Sequence, residues 1–168
     1  PKPNGGVRFC IDFRKLNTIT TKDVYPLPRM SDLLDALQGA KYFSTIDLLS
    51  GYWQIPLSDA SREKTAFITS SGLYQWKVMP FGLCNAPASF QRMMDVILAG
   101  LKWNCALVYL DDVIIYSATF DQHLQDLKVV FDRLGEANLV LSASKCSLCC
   151  QKVKYLGHIV SNKGIECD

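Results

Sequence analysis

Hydrophobic positions recur every second residue in some stretches and every third or fourth in others, so both strands and helices are encoded. Apolar Val7, Phe9, Ile11 and Phe13 alternate with polar Arg8 and Asp12, which predicts a half-buried strand. Residues 17–22 are polar and Thr-rich, and Tyr25-Pro26-Leu27-Pro28 must be extended, because each proline drives its predecessor out of the helical region. Ser31 is expected to cap a helix with Leu33, Leu34 and Leu37 on one face and Gly39 as its stop. Residues 42–48 read as a strand containing Asp47, after which Ser50-Gly51 turns the chain. Strands at 65–69 and 73–78 flank the hairpin signal Ser70-Ser71-Gly72. A helix is expected from Ala86-Pro87 to about Leu98, and two apolar strands, 105–110 and 113–117, surround Asp111-Asp112. Asp121 is expected to cap the longest helix, where Leu124, Leu127, Phe131 and Leu134 form the apolar stripe and His123 falls on the exposed start. Short strands follow at 153–156 and 158–160. The pattern is α+β, an antiparallel sheet packed on helices, with no internal repeat.

The 168 residues are 49% hydrophobic and 20% charged, which excludes disordered, collagen-like and low-complexity classes. No apolar run reaches the ~18 to 20 residues that cross a bilayer. The opening Pro-Lys-Pro-Asn-Gly-Gly has neither a start Met nor a targeting stretch, and it reads as a cut edge. A net charge of +2 neither predicts nor excludes a nucleic-acid partner. Seven cysteines, an odd and irregular set, favour reduced thiols in a cytosolic or nuclear protein over a secreted disulfide scaffold. Cys146-x2-Cys149-Cys150 with His158 and Cys167 falls short of a zinc pattern, because only one pair has ligand spacing.

Chemistry concentrates in Val108-Tyr109-Leu110-Asp111-Asp112-Val113-Ile114-Ile115-Tyr116, two adjacent aspartates between strands apolar enough for a sheet centre. One reading is a solvated hairpin tip, which favours Asp. The other brings in Asp47, which also ends an apolar strand: neighbouring strands would make the carboxylates converge. Two charges about 4 Å apart repel by roughly 4 kcal/mol at an effective dielectric of 20, so such a cluster needs cations. Oxygen-only ligands suit Mg²⁺, and a pair of such ions suits in-line phosphoryl displacement.

Tyr109-Leu110-Asp111-Asp112 matches the signature of reverse transcriptases, and further motifs follow in the right order. Residues 8–17 resemble the fingers motif, residues 43–52 the first palm motif, and residues 79–91 the next, in the wording of gypsy-type long-terminal-repeat retrotransposons. Lys145-Cys146 and Tyr155-Leu156-Gly157-His158 are similar to the last two palm motifs.

This resemblance implies a polymerase right-hand palm with interleaved partial fingers and no thumb. The fingers would be 1–21 and 55–85, the palm 22–54 and 86–163, and 164–168 the start of a missing thumb connection. The implied activity is RNA-directed DNA polymerisation by two-metal nucleotidyl transfer from a dNTP to a primer 3′-hydroxyl. The alternatives are a catalytically inactive nucleic-acid-binding remnant, which should have lost an essential aspartate, and an RNA-dependent RNA polymerase palm, against which Tyr52 speaks. By resemblance Asp47 and Asp111 bind two Mg²⁺ ions (Mn²⁺ as substitute) with the Leu48 carbonyl, Asp112 is auxiliary, and Lys145 protonates pyrophosphate. Arg8, Ser50 and Gly51 would hold the triphosphate, with Lys2 a weaker candidate. Tyr52 would exclude a ribose 2′-hydroxyl, and Phe81 and Gly82 would pack beside nucleotide and template. Tyr109 and Tyr155, Leu156, Gly157 and His158 would meet primer and template. Implied partners are template with primer, dNTPs and the other polyprotein domains, protease, RNase H and integrase. The implied setting is a cytoplasmic virus-like particle with a nuclear phase, not a secreted protein or a membrane.

Overall fold

The computed structural model describes residues 9–167. In chain order its elements are α1 (Arg14–Ile19), α2 (Met30–Ala36), β1 (Tyr42–Asp47), α3 (Asp59–Arg62), β2 (Phe67–Thr69), β3 (Gly72–Tyr74), α4 (Ala86–Ile97), β4 (Ala106–Tyr109), β5 (Asp112–Ser117), α5 (Phe120–Glu136), β6 (Ser147–Cys150), β7 (Lys152–Tyr155), β8 (His158–Ser161) and β9 (Gly164–Cys167). The chain divides into two units, one of residues up to 24 with 50–87, the other of 25–49 with 88 onward. Among the described residues, no helix is long and apolar enough to cross a membrane.

In the first unit, β2 and β3 form a hairpin closed by Ser70-Ser71, with Phe67 opposite Tyr74 and Thr69 opposite Gly72. Aromatic rings supply much of its packing: Phe9 and Tyr74 lie 5.6 and 5.9 Å from Phe67, and Trp53 lies 5.7 Å from Trp76. The expected first strand is not formed at residues 9–13; Val7 and Arg8 lie outside the described residues. Instead the Asp12 carboxylate accepts the backbone N–H of Arg14 at 3.0 Å and its guanidinium at 2.6 Å, which turns the chain into α1. Those hydrogen bonds hold the Asp12 carboxyl down at about 2. The expected turn at Ser50-Gly51 continues into a 3₁₀ turn over Gly51–Gln54.

In the second unit, β1 is central in a sheet of order β4-β5-β1-β6, antiparallel to both neighbours. Alternation sends Phe43, Leu107 and Ile114 to one face, where they join Leu33 and Leu37 of α2 and Val153, Tyr155 and Val160 in one buried cluster. The last three come from a separate meander, β7-β8-β9, so residues 164–167 are a paired strand.

The opposite face carries Ser44 and Ser117 and meets α5. This helix is capped by Thr119, whose hydroxyl accepts the Gln122 N–H at 3.3 Å, and Asp121 only occupies its first turn. The buried stripe is His123, Leu127, Val130 and Leu134, while Leu124 is 47% exposed, so the stripe is rotated from the expected phase. Likewise α2 begins at Met30 behind Arg29, with Ser31 inside the helix bonding Asp32 rather than capping, and Gly39 (φ +81°) ends the turn beyond it.

His123, expected at the exposed start of α5, is completely buried. Desolvation holds its imidazole below the usual histidine range, although the Asp126 carboxylate pulls it upward. Its neighbours fix a single tautomer. Ser117 Oγ lies 2.6 Å from Asp126 Oδ2, which only accepts, so that contact uses the hydroxyl proton of Ser117. At 2.9 Å, Nδ1 must therefore donate to Ser117 Oγ, and Nε2 accepts from Ser44 Oγ at 2.7 Å. Ser44 Oγ in turn accepts the Cys149 N–H at 2.9 Å. The bonds run in one direction, from β6 through β1, α5 and β5 to Asp126.

Candidate active site

The pairing of β1 with β5 ends in a cross-strand pair of carboxylates. Thr45 faces Ile114, Ile46 faces Val113 and Asp47 faces Asp112. Directly opposed side chains start about 5 Å apart, where two negative charges repel by about 1 kcal/mol in water and about 3 kcal/mol at an effective dielectric of 20. The Asp112 carboxyl is accordingly raised above its ordinary value, first by the water withdrawn from it and then by the Asp47 charge. Lys145 compensates in part, with Nζ 3.2 and 3.3 Å from the two Asp47 oxygens. Around these groups lies a cleft of about 180 Å³ whose lining includes Asp47, Asp112, Lys145, Lys154 and Tyr155.

The backbone at Asp47 is fastened from the other side. Its carbonyl accepts the Ser142 N–H at 2.9 Å, its N–H donates to Cys146 Sγ at 3.4 Å, and the Leu49 N–H donates to the Val140 carbonyl at 2.9 Å. Lys145 follows this anchor directly, in the 3₁₀ turn over Ala143–Lys145.

Register corrects the expected hairpin tip. Tyr109 pairs with Asp112, so the two-residue connection is Leu110-Asp111 and Asp112 belongs to the ladder. Leu110 takes φ +52°, a left-handed conformation that leucine rarely adopts. The strands thus bring together Asp47 and Asp112, with Asp111 in the exposed turn beside them. Among the described residues, no three acidic, histidine or cysteine side chains converge into a set able to hold a metal ion. Two facing carboxylates, one of them paired with the exposed Lys145, are nonetheless hard oxygen donors that fit a divalent cation.

Gln91, the last residue of the motif over 79–91, gains a role from the structure. Fully buried on α4, its Oε1 accepts the Leu110 N–H at 2.8 Å and its Nε2 donates to the Val108 carbonyl at 3.2 Å. The signal was present: a glutamine beside the apolar stripe Phe90, Met94 and Leu98 has to find partners inside the core.

Tyr155 pairs with His158 across a turn in which Leu156 (φ +49°) and Gly157 (φ +75°) are both left-handed, the conformation that suits a two-residue hairpin. Leu156 and His158 are half-buried and Gly157 is exposed. The Tyr155 ring, expected at the primer surface, is 3% exposed and packs within the core cluster. Among the described residues its hydroxyl has no hydrogen-bond partner, and burial, reinforced by Asp112, raises its pKa strongly. Tyr109 packs partly buried against the same cluster.

In the first unit Ser50 is left-handed (φ +51°), Gly51 is buried, and the Tyr52 and Trp53 rings lie 5.3 and 5.8 Å from that of Phe81. The Asn17 side chain clamps the neighbouring turn, donating to the Gly82 carbonyl at 2.8 Å and accepting the Cys84 N–H at 2.9 Å. Gly82 has φ +95°, which explains a glycine there. Arg8 and Lys2 lie outside the described residues.

Residues 1–160 match the family described as reverse transcriptase (RNA-dependent DNA polymerase). The chain belongs to the reverse transcriptase family. Its relatives include the retrovirus-related Pol polyproteins of two Drosophila melanogaster transposons. That of transposon 297 is 48% identical over 95% of this reverse transcriptase chain, and that of gypsy is 42% identical over 98% of it. The chain spans only 15% and 16% of those two polyproteins. Among solved structures, foamy viral protease-reverse transcriptase in complex with double-stranded DNA superposes with a TM-score of 0.93 at 31% identity, covering 100% of this chain and 29% of that one. The same viral protein in complex with an RNA/DNA hybrid gives 0.90 at 30% identity, covering 100% and 22%. This reverse transcriptase chain therefore has the fold of a partial palm and fingers, with relatives in gypsy-type elements.

Proposed function

We propose that the chain is the polymerising part of an RNA-directed DNA polymerase. It extends a primer on an RNA or DNA template: the primer 3′-hydroxyl bonds to the α-phosphorus of a dNTP, pyrophosphate leaves, and the hydroxyl gives up its proton. The observation that carries this reading is the Asp47–Asp112 pair beside the Tyr109-Leu110-Asp111-Asp112 turn, in a chain of this family.

Asp47, Asp111 and Asp112, with the Leu48 carbonyl, would hold two Mg²⁺ or Mn²⁺ ions. When bound, these supply charge neutralisation at the triphosphate and acidification of the attacking hydroxyl. Lys145 partners Asp47 and has a proton to give to the leaving pyrophosphate. The N–H groups of Ser50 and Gly51, with Arg8, would bind the triphosphate. Tyr52, braced against Phe81, would test the sugar, and Gly82 would leave room beside the base. Tyr109 and the Leu156-Gly157-His158 turn would meet primer and template. The complexes of the foamy viral relative with double-stranded DNA and with an RNA/DNA hybrid support those partners. Protease, RNase H and integrase domains would complete the polyprotein.

Primer extension on an RNA template with Mg²⁺, comparing dNTPs with rNTPs, tests the proposal. We expect dNTP-dependent extension that Asp111→Asn and Asp112→Asn abolish. Retention of more than about a tenth of the rate in Asp111→Asn would refute the metal assignment.

A further inference from the structure

The clamp on the catalytic turn has its own anchor. Gln91 Nε2 donates to Asp95 Oδ1 at 2.9 Å, one helical turn along α4. The same oxygen accepts Lys102 Nζ at 2.6 Å, and Oδ2 accepts the Tyr25 hydroxyl at 2.8 Å. Asp95 and Lys102 side chains are 17% and 19% exposed, so this is a largely buried charge pair. The Arg92 guanidinium lies over the Tyr25 ring, 4.8 Å from its centroid.

A glutamine amide has nearly the same shape when rotated by half a turn, so packing alone does not decide which end faces Leu110. Donors and acceptors do. The Asp95 carboxylate and the Val108 carbonyl only accept, whereas the Leu110 N–H only donates. With Nε2 toward the two acceptors and Oε1 toward Leu110, all three contacts are satisfied. The rotated amide would put oxygen against two acceptors and N–H against N–H. Val108 alone, at 3.2 Å, is the weaker guide, while the charged Asp95 makes the shorter bond.

We propose that Asp95 is a positioning residue for polymerisation: by fixing the direction of the Gln91 amide, it holds Leu110 left-handed and so sets the Tyr109-Leu110-Asp111-Asp112 turn. The catalytic part of this claim rests on the function proposed above, whereas the structural part does not. Lys102 and Tyr25 keep the Asp95 carboxylate in place, so the control over the turn reaches from the proline-flanked segment before α2 to the loop after α4.

Amide hydrogen exchange on the ¹⁵N-labelled chain tests it. In the wild type, the Gln91 side-chain NH₂ protons are expected to exchange at least about 10-fold more slowly than those of the exposed Gln151. Equal rates overturn the proposal without any variant having to fold. Replacing the pair together, Asp95→Leu with Lys102→Met, leaves no buried charge unpaired. We expect Leu110 N–H exchange to accelerate about 10-fold or more while the amides of Phe43–Ile46 keep their rates. Adding Gln91→Leu should accelerate it no further, because both changes act through one contact. An unchanged Leu110 rate in the folded double variant overturns the proposal.

Primer extension then separates positioning from mere support, with kcat expected to fall about 10-fold or more and the dNTP KM to move less than about twofold. An intact kcat beside a loosened Leu110 overturns the catalytic part. If the wild-type chain shows no extension while Leu110 responds as described, the polymerase reading fails and the anchoring of the turn by Asp95 stands.

Discussion

Replacing His123 with leucine should both weaken the fold and remove a pH dependence from it. The imidazole is completely buried and makes two hydrogen bonds, to Ser44 and Ser117, each contributing about 0.5 to 1.5 kcal/mol net. Leucine fills most of the volume but leaves the Ser44 hydroxyl proton without an acceptor, a further cost of about 1 to 3 kcal/mol. Offset in part by the apolar burial that leucine gains, a loss of about 2 to 4 kcal/mol near neutral pH is expected. At about 2 to 4 °C per kcal/mol for a chain of this size, the melting temperature should drop by about 5 to 15 °C.

Protonation attacks the same site, because an imidazolium has no acceptor for the Ser44 proton. The folded pKa lies below the ordinary 6.5, so the unfolded chain binds this proton first as pH falls. His123 therefore contributes its full stability above about 6.5 and loses it progressively below, down to the lowered folded value. The steepest slope is one proton, about 1.36 kcal/mol per pH unit. Urea unfolding followed by circular dichroism between about pH 8 and about pH 5 measures both effects. The wild-type curve should fall through this range while that of His123→Leu runs flatter. Parallel curves, or a loss below about 1 kcal/mol at neutral pH, would refute the single-tautomer chain of bonds.

Asp112→Asn removes the facing charge and should stabilise the fold by about 0.5 to 1 kcal/mol at neutral pH while abolishing extension. Since its carboxyl is raised in the folded state, the wild type should lose stability as pH rises through the range just above 3.8, and the variant should not; urea midpoints across that range decide. Tyr155→Phe deletes a buried hydroxyl that has no partner among the described residues and should raise stability by about 1 kcal/mol, read as a higher urea midpoint at an unchanged m-value. Thr119→Ala should cost about 0.5 to 1 kcal/mol, and more than Asp121→Ala; the reverse order would contradict the cap seen at α5.

Local signals in the sequence identified the elements well and their neighbours poorly. The apolar runs around Asp111-Asp112 are unmistakable strands, because only a sheet centre absorbs so many branched residues. That Asp112, rather than Asp111, faces Asp47 is a matter of pairing between segments some sixty positions apart, which no local pattern carries. The buried stripe of α5 lies one position from the one its apolar residues predict, because Leu124 outweighs a histidine on any apolar scale. Its true phase follows from Ser44 and Ser117, which give His123 its bonds from another part of the chain. At the N-terminal side, alternation over 9–13 imitates a strand, whereas a short-range Asp12–Arg14 contact turns the chain into the helix that starts at Arg14. The role of Gln91 is invisible to local pattern because its partners lie across the core in β4 and its turn.

The Asp47–Asp112 pairing also limits how this protein can change length. Deleting or inserting one residue within Tyr42–Asp47 inverts everything beyond it, turning Phe43 or Asp47 to the wrong side of the sheet. A population of surviving length variants should thus be empty across β1 and β5, yet well stocked at the Ser70-Ser71 bend, where an extra residue only lengthens a loop. For this lineage, point substitution is an open road and frame-preserving indels in the two central strands are a closed one.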